Sequence, residues 1–167
     1  MFPKIKKALF LFQITVLIML LAYTSFSQKD KIPDDWKRND LPLFCFFTPS
    51  DLVLGPFKGK DSEVWKYESQ TLLLTIDLGL YSGKPERSIN EGNYIERSIT
   101  IDGKRATIVY SDFNNKNYGE FKYVTAMYFP RVASDETKLS FVALSKTLEI
   151  RKNVEKIFRS IRFKAGR

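Results

Sequence analysis

The sequence predicts an α+β domain, an antiparallel sheet of about five to seven strands packed on a C-terminal helix. Three observations predict it. Residues 71–81 alternate in polarity over a full strand length. Asp102-Gly103 joins two further alternating runs, as a tight hairpin turn does. Beyond residue 148 the apolar spacing changes from two to three and four, the period of a helix.

The elements follow in chain order. Lys4, Lys6 and Lys7 open the chain without an acidic residue, and no charge appears from Ala8 to Gln28. The densest apolar stretch is Ile14 to Ala22, and Ser25 and Ser27 supply small residues before a cut at Gln28. This is the pattern of a signal peptide over residues 1–27. A spanning anchor needs about 20 apolar residues, and Gln13, Thr15, Thr24 and Ser25 dilute this run. Either reading delivers the remainder outside the cytoplasm, periplasmic or secreted. If uncleaved, residues 8–26 would tether it near a membrane. Residues 28–42, polar and holding Pro33 and Pro42, read as a linker with Trp36 as a docking point. Residues 43–167 read as a single α+β domain.

Within it, Leu43 to Phe47 is an apolar strand that stops before Thr48-Pro49. Residues 49–62 are mostly loop, given Pro49, Gly55, Pro56 and Gly59. Ser62 to Glu68 and Thr71 to Tyr81 are strands. In the second, Leu72, Leu74, Ile76, Leu78 and Leu80 share the core face. A long loop at 82–92 precedes the hairpin. A two-residue type I′ turn sets Ile101 opposite Lys104, Ile99 opposite Ala106, Arg97 opposite Ile108 and Ile95 opposite Tyr110. Those residues form its apolar face, and Tyr94, Glu96, Ser98, Thr100, Arg105 and Thr107 form its wet face. After a polar loop at 112–119 come strands over Glu120 to Phe129 and Leu139 to Leu144. The helix carries Ile150, Val154, Ile157, Phe158 and Ile161 on one stripe, with Phe163 folding back onto the sheet.

Composition excludes several chemistries. The chain has no histidine, which removes Ser-His-Asp catalysis, His-ligated zinc and histidine pH sensing. Its one cysteine, Cys45, removes thiolate clusters and internal disulfides, and reads as a small apolar residue in a buried strand, with an intermolecular disulfide as the lesser alternative. Beyond the leader, 24 basic residues face 19 acidic ones, a net +5. That mild excess, without a basic cluster, argues against nucleic acid as a partner.

No cofactor or metal is expected. Gly55 to Ser62 is similar to a phosphate loop, but three residues separate its glycines and Asp61 follows Lys60. Asp112 to Lys116 is similar to the start of a calcium loop, but Lys116, Asn117 and Tyr123 occupy ligand or turn positions. Asp77, Glu86, Glu91 and Glu96 are candidate carboxylates for a histidine-free hydrolase, and no spacing selects a pair. Asp77 stands out on an otherwise apolar strand. Trp65 and Tyr67 flank Lys66 and share one strand face, and with Tyr94 they are candidates for stacking on a sugar or lipid headgroup, with core packing the favoured use of most of the aromatics.

Phe46-Phe47-Thr48-Pro49, the hairpin Ile101 to Ala106, a later aromatic strand and the closing Ile157-Phe-Arg-Ser160-Ile-Arg-Phe163 resemble the Mog1/PsbP-like superfamily, which includes DcrB-type envelope proteins. The resemblance covers roughly residues 43–163. It implies an α/β/α sandwich around a curved antiparallel sheet and an accessory or binding role without catalysis. It carries no functional residue over, and residues 49–62 are too rich in Pro and Gly for the early helix it implies. The sequence thus points to an exported, non-catalytic envelope module with an undefined protein or surface partner. An anionic lipid or glycan binder and a carboxylate hydrolase are the alternatives.

Overall fold

Asp102 and Gly103 both take positive φ, 47° and 78°. That is the backbone of a type I′ turn, and it locks the register of the two strands it joins. In the computed structural model, Ile101 faces Lys104, Ile99 faces Ala106, Arg97 faces Ile108 and Ile95 faces Tyr110. The structure describes residues 31–56, 62–84, 91–113, 119–133 and 136–164. The expected signal at 1–27, most of the phosphate-loop-like string and the Asn-rich stretch at 114–118 lie outside these residues.

The unit from Ile32 onward carries all the elements of the described residues. A seven-stranded sheet is ordered β3-β4-β5-β9-β8-β7-β6, every neighbouring pair antiparallel. Its strands are β3 (Val53–Leu54), β4 (Glu63–Glu68), β5 (Leu72–Gly79), β6 (Glu91–Ile101), β7 (Lys104–Phe113), β8 (Tyr123–Phe129) and β9 (Lys138–Ser145). A three-stranded sheet, β1-β2-β10, combines β1 (Trp36–Asp40), β2 (Phe44–Pro49) and β10 (Arg162–Phe163). Helix α1 (Leu148–Arg159) connects β9 to β10.

The core lies between one face of the large sheet and a layer made of α1 and the small sheet. Leu72, Leu74, Ile76 and Leu78 of β5 are all buried, as the alternation predicts. Leu80 lies past the end of β5 and is exposed, because the strand stops at Gly79. Phe141 of β9 is the hub. Its ring centre lies 5.6 Å from Phe44, 6.1 Å from Phe46 and 5.6 Å from Phe158. Each such fully buried ring contributes about 1.5–3 kcal/mol of transfer free energy. Val154, Ile157, Phe158 and Ile161 are buried, so the helical stripe faces the sheet. Thr147 caps α1 by accepting from the Ile150 N–H, worth about 1 kcal/mol.

The helix exit is tied to β2 through Ser160. Its hydroxyl accepts from the Phe47 N–H at 2.9 Å and donates to the Ile157 carbonyl at 2.6 Å. Phe163 packs its ring 5.2 Å from Phe129, and its N–H donates to Asp102 Oδ2 at 2.7 Å. The Ser160-to-Phe163 segment therefore locks the small sheet to the hairpin turn.

Two further expectations are corrected. Residues 28–42 are not a linker throughout, because Trp36–Asp40 pair with β2 and Trp36 packs against the core. Their polarity reflects an edge strand held by main-chain bonds rather than by burial. The first core strand runs through Thr48 to Pro49 instead of stopping at Phe47, with Thr48 buried and bonded to Asn39 at 3.0 Å. The described part of the expected loop at 49–62 holds only the two-residue strand β3, with Leu52 beside it fully buried. Among the described residues α1 is the one helix, so the second helical layer of an α/β/α sandwich is not found in them.

Candidate binding edge

The structure does not bring Trp65, Tyr67, Tyr94 and Asp77 together. Trp65 and Tyr67 share a face of β4, and it is the core face, opposite Ile76 and Leu74. Tyr67 is buried, its ring edge-on to Phe46 at 5.6 Å, and desolvation pushes its phenol above the ordinary range. Trp65 is half-buried against the same core. These rings form core, not a stacking platform. Tyr94 lies on the opposite face of β6, where its hydroxyl donates to Glu96 at 3.1 Å. Asp77 lies on that outer face of β5, between Val64 and Ser140.

Asp77 has a buried carboxylate oxygen without a hydrogen-bond partner. Ser82 Oγ donates to the Asp77 carbonyl at 2.9 Å and lies 2.9 Å from Ser140 Oγ. Strands β5 and β6 run in the same direction with β9, β8 and β7 between them. The chain leaving β5 must therefore cross the sheet to reach β6. Ser82 on Ser140 and Lys84 on Glu96, the latter at 2.6 Å, place the crossover's beginning on the outer face. Beneath this side lie buried Val109, Val124, Ala126 and Leu144, so the sheet's centre is apolar on both faces. That is why the polarity of β8 alternates less cleanly than that of β5. The carboxylates of Asp77 and Glu96 are four strand spacings apart, about 19 Å. A glycosidase pair needs about 10 Å or less, so these two do not form one.

A second polar cluster holds α1 to the sheet. The Arg151 guanidinium lies 5.0 Å from the Tyr110 ring centre and 5.6 Å from that of Tyr123. It pairs with Asp112 at 3.4 Å, and Asn93 donates to the same carboxylate at 2.7 Å. Thr125 and Ser145, buried on the same face of the sheet, have hydroxyls without a partner. Arg151 is largely enclosed, so the cluster fastens the helix and offers little to solvent. A signal for it was present in the sequence, since Arg151 lies one turn from Val154 on the stripe side of the helix.

The surface left open is the outer edge of β6. No described strand lies beyond it, and Glu96, Arg97, Ser98 and Thr100 are exposed. Ile95, which belongs to the core face, is 45% exposed. The turn decides which main-chain groups point outward. Ile101 and Lys104 close a two-residue loop, so Ile101, Ile99, Arg97 and Ile95 bond to β7. The N–H and C=O groups of Thr100, Ser98 and Glu96 consequently face away from the sheet. Ser98 also ends a polar row crossing the outer face through Thr107, Tyr128, Ser140 and Asp77. Unpaired main chain on a rigid strand can do one thing well, which is to add another strand. No family description matches the chain, and no curated protein resembles it in sequence.

Proposed function

We propose that the chain is an exported, non-catalytic envelope module that binds an extended protein segment along the outer edge of β6. The observation that carries the reading is the edge itself: an eleven-residue strand, fixed by a type I′ turn, whose residues from 95 to 98 are exposed. Strand addition draws affinity from main-chain hydrogen bonds and selectivity from alternate side chains. Here Ile95 and Ile99 would supply apolar contacts on one face, and Glu96 and Ser98 polar ones on the other. Export rests on the leader pattern in residues 1–27, and the resemblance to the Mog1/PsbP-like superfamily agrees with a binding role. The anionic-surface alternative is less favoured, since Lys66, Lys84, Lys146, Arg38 and Arg151 each pair with a carboxylate.

A photo-crosslinking side chain placed at Ser98 of the full chain in intact cells tests this. A covalent adduct at Ser98, absent when the same group replaces Val53 on β3, is the expected result. Adducts at both positions, or at neither, would overturn the reading.

A further inference from the structure

We infer that the segment received by β6 is β6 of a second copy, paired antiparallel about a two-fold axis at Ser98, so that two seven-stranded sheets become one. This rests on β6 being the docking edge and adds the identity of the occupant.

The register follows from comparing the axes at residues 95 to 99, the middle of the strand, exposed from 95 to 98. Residues directly opposed across two strands share a face of the sheet. A two-fold axis that keeps like faces together must therefore pass through a residue position. An axis at Glu96 or Arg97 sets that charge directly against its own copy. An axis at Ile99 opposes Glu96 to Asp102. An axis at Ile95 draws in the irregularity between Glu91 and Tyr94, where the strand's pairing shifts.

The axis at Ser98 has none of these faults. Ser98 then opposes Ser98, and Glu96 opposes Thr100. Thr100 is flanked on β7 by Arg105, which brings a guanidinium into the row of the arriving carboxylate. On the core side Ile95 opposes Ile101, covering its exposed surface, and the stem of Arg97 lies over Ile99. The outward groups of Glu96, Ser98 and Thr100 exchange about six hydrogen bonds, two for each closely bonded pair. The contact is isologous, as closed dimers require.

Two Ser98 positions in a hydrogen-bonded pair have Cα atoms about 5.5 Å apart, inside the range of about 4.4–6.8 Å that a disulfide spans. The test is oxidation of full-length chains in the intact envelope. Ser98→Cys should yield a reducible product of twice the chain's mass, whereas the parent, with Cys45 alone and buried, should not. Thr100→Cys should not link to itself, because its copies lie about 14 Å apart along and across the strands, yet it should link to Glu96→Cys when both are expressed together. Unchanged thermal transitions confirm that the variants fold. If Ser98→Cys stays monomeric, or Thr100→Cys links to itself, self-pairing in this register is overturned. If Ser98→Cys stays monomeric while the crosslinker at Ser98 captures a different polypeptide, self-pairing falls and the docking edge stands. If neither adduct forms, both fall.

Discussion

The two ends of the seven-stranded sheet are built differently. At one end, β3 is two residues long, pairs with Glu68 and Tyr67, and runs into Gly55-Pro56. At the other, β6 has eleven residues and is held along most of its length by β7. Short edge strands and proline are common ways of preventing unwanted strand addition. The β3 end has both, and the β6 end has neither. What guards β6 is charge, Glu96 on one face and Arg97 on the other, and charge selects a partner register where proline would forbid pairing altogether. The difference leaves one edge blunted and the other able to accept a further strand.

The largest effect that breaks this contrast is loss of the core supporting both ends. Phe141→Ala empties the junction of Phe44, Phe46 and Phe158 and should cost about 3–5 kcal/mol, read by chemical denaturation. Both edges should lose protection from hydrogen exchange together, and loss at one edge alone would show that the sheet is not a single cooperative unit. A smaller and more local effect is expected at the turn. A Cβ on Gly103 would meet nothing within 4 Å, so Gly103→Ala costs only its positive φ of 78°. That is about 1–2 kcal/mol. Faster exchange should appear in β6 and β7 while β3 and β4 are unaffected, and uniform loosening would contradict the local role of the turn.

The smallest effect concerns the crossover beside β6. Hydrogen bonds from Lys84 and then Tyr94 hold the Glu96 carboxyl below the usual glutamate range, as Lys146 does for Glu120 far from that edge. Because the folded values are lowered, both contacts are intact at neutral pH and are lost as pH falls through the lowered values. Lys84→Ala should raise the Glu96 titration and leave that of Glu120 in place, followed by carboxyl carbon shifts in NMR. Movement of both would mean that the substitution acts on the whole fold.

Where the structure follows local rules, the sequence had already specified it. Asp102-Gly103 set a turn, the turn set the pairing of Ile95 with Tyr110 through Ile101 with Lys104, and the alternation of β5 named its buried face. The stripe of α1 was equally legible. Each depends on residues within a few positions of one another. The placement of Trp65 and Tyr67 on one side of β4 was also readable, and the core packing favoured for most of the aromatics is what that side provides.

What only the tertiary structure decided is strand order and its consequences. Nothing local states that β9, β8 and β7 come between β5 and β6, since the chain reaches those strands later and joins them by long-range pairing of apolar faces. Nor does the polar run Trp36–Asp40 announce a strand, because its stability comes from main-chain bonds to β2. The candidate site shows both halves. That residues 94–101 form a strand with Ser98 pointing its main chain away from β7 follows from two residues of turn chemistry. That this strand lies at an open edge depends on which other strands pair elsewhere, a property of the assembled sheet and of no single segment.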